Sequence, residues 1–215
     1  MSTPTITIID YGVGNLLSVQ RGFEHLGATV LVSSDPKTIL AANKVVLPGV
    51  GAFPDGMNAL KKLGLISVIQ DIAAEKKPLL GLCLGMQLLL EKSEEFENTA
   101  GLGLIPGRVI PIPKVTILDQ PQKIPHTGWN SLQLSKSSKN WGNTLLQDNK
   151  PGDSAYFVHS FMAEPAEQAN RIADTNYGGH KITAVIIKNQ ITGCQFHPEK
   201  SGEVGLKILK RFLLQ

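Results

Sequence analysis

A thiol stands between two glycines in Gly81-Leu82-Cys83-Leu84-Gly85. The apolar run Pro78–Leu82 reads as a buried strand leading in, and Met86–Lys92 reads as a helix leading out. Gly-x-nucleophile-x-Gly between strand and helix is the elbow pattern. The turn is so sharp that side chains two residues to either side would collide, so glycine fills both places. The sulfur is thereby raised above the sheet edge. The first N–H groups and positive end of the following helix favour the thiolate, the nucleophilic form. The Leu84 N–H is placed to donate to an oxyanion formed when Cys83 attacks a carbonyl. A small core cysteine is the plain alternative. A base, an acid that orients it and a second oxyanion donor would separate the two readings.

Of the five histidines, His197 has the setting of a base. In Gln195-Phe196-His197-Pro198-Glu199 it ends a strand, and Pro198 stops the ladder. Glu199 can turn back to bond one ring nitrogen, fixing the tautomer and leaving the other nitrogen for the sulfur. A solvated strand end with an incidental Glu is the alternative. His25 reads as helix surface, His126 as part of a proline-bracketed loop, His159 as a strand residue among aromatics and His180 as a loop residue. Cys194-x-x-His197 has zinc-like spacing, but Cys194 alternates to the opposite face of the strand from His197, so no metal is expected.

These groups need a scaffold. Thr5–Ile9, Thr29–Val32 and Lys44–Leu47 read as strands, with a helix from Leu16 to Gly27 and a short one from Asp35 to Ala42. Alternating β and α implies parallel strands with helices on both faces. Pro48-Gly49-Val50-Gly51 follows the third strand. It is either a plain glycine-rich turn or the source of the second oxyanion donor, at Val50 or Gly51. Ala59–Lys76 reads as helix interrupted at Gly64, and Asn98–Gly103 as a turn. Arg108–Pro113 reads as a strand at a sheet edge or a sheet end because of its prolines, Pro121–Asn130 as irregular and Ser135–Asn149 as an exposed excursion. Ser154–Phe161, Arg171–Tyr177 and Ile182–Ile187 read as strands, the last forming a hairpin with Ile191–Phe196. Gly205–Leu214 closes the chain as a helix. The expected fold class is α/β in a single domain, 1–215. Its sheet is mixed, parallel in the first half and antiparallel in the second.

Composition narrows the function. With 215 residues, 42% hydrophobic and 18% charged, the chain can bury one sizeable core. A net charge of +3 without a dense basic patch gives no reason to expect nucleic acid. Two cysteines make no disulfide framework and fit a reducing, cytoplasmic setting. Met1–Thr5 lacks a basic region followed by an apolar one, so no leader is expected. The most apolar run, Leu79–Leu90, is too short to span a bilayer. Gly12-x-Gly14 after the first strand gives half of a dinucleotide fingerprint, but Leu17 stands where its third glycine belongs. A non-catalytic nucleotide-binding module is therefore the distant alternative.

Pro48-Gly49-Val50-Gly51, Gly81–Gln87 and His197-Pro198-Glu199 together resemble the class I, triad-type glutamine amidotransferases over essentially the whole chain. Asp10–Leu16, Pro125–Asn130 and Tyr156–Ser160 are similar to the glutaminase subunits of imidazole glycerol phosphate synthases, which serve histidine biosynthesis. The resemblance implies a flavodoxin-like core and no cofactor. It implies that Cys83 attacks the side-chain amide of L-glutamine, with His197 as acid and base and Glu199 orienting it. The oxyanion hole would be the N–H groups of Val50 and Leu84. Gly51, Gln87 and the backbone of His159, Ser160 and Phe161 match glutamine-holding positions, and Glu95 matches one for the amino group. The stretch Pro113–Asn149 is longer than the family pattern.

The ammonia released must reach an acceptor before water protonates it. A (β/α)₈ barrel takes about 250 residues, so the acceptor is a separate chain. By resemblance it is a barrel-type cyclase subunit in a heterodimer, met near Asn15, Trp129 and Lys200. A paralogous glutaminase feeding another acceptor, for example in aminated sugar synthesis, is the alternative with the same chemistry.

Overall fold

The computed structural model describes residues 4–215. Met1–Thr3, part of the stretch read above as leaderless, lie outside the described residues. The first half runs β1 (Thr5–Ile9), α1 (Leu16–His25), β2 (Thr29–Ser33), α2 (Pro36–Leu40), β3 (Val45–Leu47), α3 (Phe53–Lys62), α4 (Leu65–Ala74), β4 (Leu79–Leu82) and α5 (Leu84–Leu88). Then follow β5 (Leu90–Ser93), β6 (Thr99–Ala100), β7 (Ile105–Pro111), β8 (His126–Ser131), β9 (Gln133–Leu134), β10 (Ser154–His159) and β11 (Phe161–Pro165). The chain ends with β12 (Arg171–Tyr177), β13 (His180–Lys188), β14 (Ile191–Cys194) and α6 (Gly202–Leu213).

The main sheet has eight strands in the order β2-β1-β3-β4-β14-β13-β12-β9. From β2 to β14 neighbours are parallel, and from β14 to β9 they are antiparallel. This is the mixed sheet that the alternating first half and the final hairpin imply. Side chains leave β1 on alternate faces. Ile6 and Ile8 join Phe23 of α1 and Ile208 and Phe212 of α6 on one side, while Ile9 joins Phe53, Leu60 and Ile69 of α3 and α4 on the other. The sheet is therefore buried on both faces, and β4, paired on both sides with β3 and β14, ends one residue before Cys83.

Several readings need correction. The helix expected from Ala59 begins at Phe53, because Pro54 suits a first turn and the Glu95 carboxylate accepts the Phe53 N–H at 2.7 Å. Its break at Gly64 is real: that residue is left-handed, φ +66°, between α3 and α4. The helix expected through Lys92 ends at Leu88. The carbonyls of Leu88–Leu90 instead receive N–H groups from residues 102–105, and β5 pairs with β7. Cross-strand pairing overrides the helix preference of a leucine-rich run. β7 lies inside a four-stranded sheet, β11-β7-β5-β6, not at an edge.

Pro121–Asn130 is not wholly irregular. His126–Ser131 forms β8, paired along its length with β10, and its few apolar residues hide the strand period. The strand read as Ser154–Phe161 breaks at Ser160, so β10 and β11 belong to different sheets. Nor is Ser135–Asn149 a solvated excursion. Trp141, Leu145 and Leu146 are buried in the core, and the Trp141 indole N–H donates to the Ile172 carbonyl at 3.3 Å.

Candidate active site

β4 delivers Cys83 at φ +52° and ψ −110°, a backbone conformation that L-residues other than glycine rarely adopt. Its surroundings hold it there: the Cys83 N–H donates to the Cys194 carbonyl at 2.8 Å, tying the elbow to β14. The two glycines are required by close approach. A Cβ on Gly81 would stand 2.7 Å from the Gly85 carbonyl oxygen, and one on Gly85 would overlap the Leu47 carbonyl. α5 spans barely more than one turn, so it brings little helix dipole to the sulfur.

β14 runs beside β4, and the chain leaving it carries His197 to the same end of the sheet. His197 Nδ1 lies 2.8 Å from Glu199 Oε1, with side chains 4% and 1% exposed. A carboxylate oxygen can only accept, so Nδ1 carries a proton. Nε2 has no protein hydrogen-bond partner and lines one cavity with Cys83. Burial lowers the imidazole's pKa, but the Cys83 sulfur beside it and the Glu199 carboxylate outweigh burial and raise it to about 10. The sulfur favours the protonated ring only when it is itself a thiolate, so the imidazolium belongs to a thiolate–imidazolium pair. The thiol and the ring do not meet in hydrogen-bond geometry in this resting site. Among the described residues no cluster of three or more His, Cys, Asp or Glu is arranged to hold a metal. Cys194 is fully buried, and burial, with Glu199 nearby, holds its thiol well above the usual range.

The cavity measures about 300 Å³ and is lined by Val50, Gly51, Cys83, Leu84, Gln87, Glu95, Pro125, Val158, His159, Ser160, Phe161 and His197. A class-I glutamine amidotransferase family model matches residues 7–215. The chain belongs to the class-I glutamine amidotransferases. Within that family it groups with the subunits called HisH of imidazole glycerol phosphate synthase. It is 51% identical over 209 residues to HisH 1 of Legionella pneumophila (strain Lens), covering 97% of this chain and 98% of the relative. It is 51% identical over 208 residues to HisH of Lactococcus lactis subsp. lactis, covering 97% of each. The fold is shared with more distant structures. PurLQS from Thermotoga maritima superposes with a TM-score of 0.73 at 18% identity, covering 99% of both chains.

For this amidotransferase the expected cavity residues converge, but not all in the expected roles. The Leu84 N–H donates to the Gly49 carbonyl at 3.3 Å. A planar trans peptide sends its N–H opposite to its carbonyl, so the Val50 N–H points away from Leu84. The expected pair of donors, Val50 and Leu84, is not assembled in this conformation. The physical reason is that a buried N–H takes an acceptor where one is near, and the loop carbonyl supplies it. Gly49 and Gly51 flank that peptide, and Gly51 already sits at φ +101°.

Gln87 donates from Nε2 to the Phe161 carbonyl and to Gln195 Oε1, each at 3.0 Å, so it braces the wall. Glu95 lines the cavity while one of its oxygens caps α3. Asn15 caps α1, accepting the Ser18 N–H at 3.4 Å. Trp129 is 56% exposed and meets Tyr156 edge-on at 6.0 Å. The backbone of Tyr156 bonds His197 and the Ser201 hydroxyl, so Trp129 flanks the turn that carries exposed Lys200.

Two participants were missed from the sequence. Gln195 Nε2 lies 3.9 Å from the Cys83 sulfur, as does the Val158 carbonyl oxygen. Gln195 was open to inference, since it shares a strand face with His197. Val158 contributes backbone only, so its side-chain type carries no signal.

Proposed function

We propose that this chain, 1–215 acting as one domain, is the glutaminase subunit of an imidazole glycerol phosphate synthase. It hydrolyses L-glutamine to glutamate and ammonia. It passes the ammonia to a (β/α)₈-barrel cyclase subunit in a cytoplasmic heterodimer. The observation that carries the reading is that Cys83 and His197 line one cavity of about 300 Å³, a size suited to a small ligand, with the Glu199 carboxylate buried against the ring at 2.8 Å. Among the described residues no helix is long and apolar enough to cross a membrane. Asn15, Trp129 and Lys200 are the residues we assign to the cyclase interface.

The Cys83 thiolate attacks the side-chain amide carbon of glutamine. The tetrahedral oxyanion is held by the Leu84 and Val50 N–H groups once the Gly49–Val50 peptide has turned. His197 gives its proton to the departing nitrogen, ammonia leaves and a γ-glutamyl thioester remains. His197 then removes a proton from water as it attacks, and collapse of the second tetrahedral intermediate breaks the carbon–sulfur bond, releasing glutamate and restoring the Cys83 thiolate beside the protonated ring. Gln87 and the His159–Phe161 backbone hold the substrate, with Gly51 and Glu95 near its amino-acid end.

One missing oxyanion donor costs roughly 10²–10³ in rate, so the free subunit turns over slowly and docking of the cyclase accelerates it. Glutamate release measured with and without the cyclase tests this. Activity rising by about that factor, and lost in Cys83→Ala, supports the reading. Wild-type turnover by Cys83→Ala would end it.

A further inference from the structure

β8 and β10 place His126 directly opposite His159. The proposed chemistry uses neither imidazole, yet both are buried, at 1% and 6% exposure. His159 Nδ1 lies 2.7 Å from the Phe161 carbonyl oxygen, which can only accept, so that nitrogen carries a proton. Asn130 Nδ2 lies 2.8 Å from His126 Nε2 and 3.0 Å from the Asn176 carbonyl. An amide nitrogen only donates, so His126 Nε2 accepts. The proton of a neutral His126 is then on Nδ1, which donates to His159 Nε2 at 3.0 Å. The hydrogen bonds run one way, from Asn130 through His126 and His159 to Phe161, and use every ring nitrogen. Tyr177 and Phe157 stack on His126 at 4.2 and 5.0 Å and fix its plane.

The chain of bonds continues into the active site. The Phe161 carbonyl also accepts from Gln87, Gln87 donates to Gln195, and Gln195 reaches the Cys83 sulfur. Phe161 follows the break at Ser160, where the chain passes from one sheet to another and lines the cavity. On one side the junction is tied to the end of β7, where the Ile112 N–H donates to the Ser160 carbonyl at 2.9 Å and Phe161 pairs with Pro111, and the histidine pair holds it from the other side.

We propose that the His126–His159 pair is a one-way hydrogen-bonded strut that fixes the break at Ser160 and aims the Phe161 carbonyl at Gln87, holding the glutamine-binding wall in register with Cys83. Both histidines are positioning residues. The inference rests on the cavity being the glutamine site, as proposed above.

The two amide variants of His159 separate its contacts. In His159→Asn the amide nitrogen occupies the place of Nδ1 and still donates to Phe161. In His159→Gln the amide sits at the Nε2 end and leaves Phe161 without that donor. Each full-length variant is assayed with the cyclase for glutaminase KM and kcat, and alone for alkylation of Cys83 by iodoacetamide, which does not need the glutamine wall.

His159→Gln is expected to raise KM by roughly 5- to 10-fold, the scale of one lost hydrogen bond at a carbonyl that keeps Gln87 as its other donor. His159→Asn should stay within about threefold of wild type, and alkylation should change little in either. Equal KM in both variants, or alkylation slowed as much as turnover, would overturn the strut. Nitrogen NMR of the wild-type imidazoles reads it without any activity. Both rings are expected as neutral Nδ1–H tautomers, and an Nε2–H form at either would overturn the strut even if the glutaminase reading stands. A wild type with no glutaminase activity but both Nδ1–H tautomers would reject the function and keep the hydrogen-bond chain.

Discussion

Replacing Glu199 by Gln removes one charge from the triad and almost no volume. The carboxylate lies 2.8 Å from His197 Nδ1, and both side chains are nearly inaccessible. A hydrogen bond to a charged group in such a place contributes about 1.5–3 kcal/mol. At about 1.4 kcal/mol for each pH unit, its loss lowers the His197 pKa by roughly one to two from its position near 10. The ring still carries its proton at neutral pH, but it is less firmly held as an imidazolium and its tautomer is no longer enforced. We expect kcat/KM for glutamine to fall about 10- to 100-fold, the same free energy read as rate, with a larger loss if the Gln amide turns its N–H toward Nδ1. Steady-state glutamate release in the presence of the cyclase gives the first number, and an NMR titration of His197 gives the second. A kcat/KM within twofold of wild type together with an unmoved His197 titration would refute the assignment of Glu199 as the orienting acid.

Two further outcomes follow from buried groups. Tyr11 donates its hydroxyl to the Pro48 carbonyl at 2.6 Å, and burial holds its pKa well above the usual range. Tyr11→Phe leaves that carbonyl unpaired, so the urea midpoint should fall by the equivalent of about 1–2 kcal/mol with an unchanged slope. An unchanged midpoint would show that this bond does not anchor the loop before Gly49. Burial holds His126 at about 4 and His159 at about 3, below the ordinary 6.5. Their contribution is full above pH 6.5 and is lost as pH falls toward those values, because the unfolded chain then binds more protons. His197, raised to about 10, contributes fully below pH 6.5 and loses that contribution as pH rises toward 10. Urea midpoints should therefore peak near neutrality and drop on the acid side by about 2–3 kcal/mol between roughly pH 6.5 and 5. A flat acid limb would contradict neutral, buried imidazoles.

The parts of the site that could be read from sequence are those fixed by local sterics. The elbow needs glycine on both sides of Cys83, and a strand ending at His197-Pro198-Glu199 can fold its carboxylate back onto the ring. The parallel half of the sheet was legible because β-branched runs alternate there with amphipathic helices. What was hidden depends on distant pairing. β8 has little apolar alternation and exists because β10 pairs with it. Leu88–Leu90 leaves the helix because residues 102–105 supply donors to its carbonyls. The direction of the Gly49–Val50 peptide is also invisible to sequence, since either orientation suits a glycine-flanked turn. The hydrogen bond from Leu84 selects the one seen. The partnership of His126 with His159 appears only when two strands 33 residues apart come into register.

In the proposed reaction the Cys83 sulfur becomes acylated by glutamine. Rapid quenching of the wild-type subunit with the cyclase during turnover, followed by mass analysis of the peptide carrying residue 83, tests it most directly. A γ-glutamyl adduct is expected on Cys83 and none in Cys83→Ala, which also releases no glutamate. Glutamate release without any adduct, undiminished in Cys83→Ala, would contradict it.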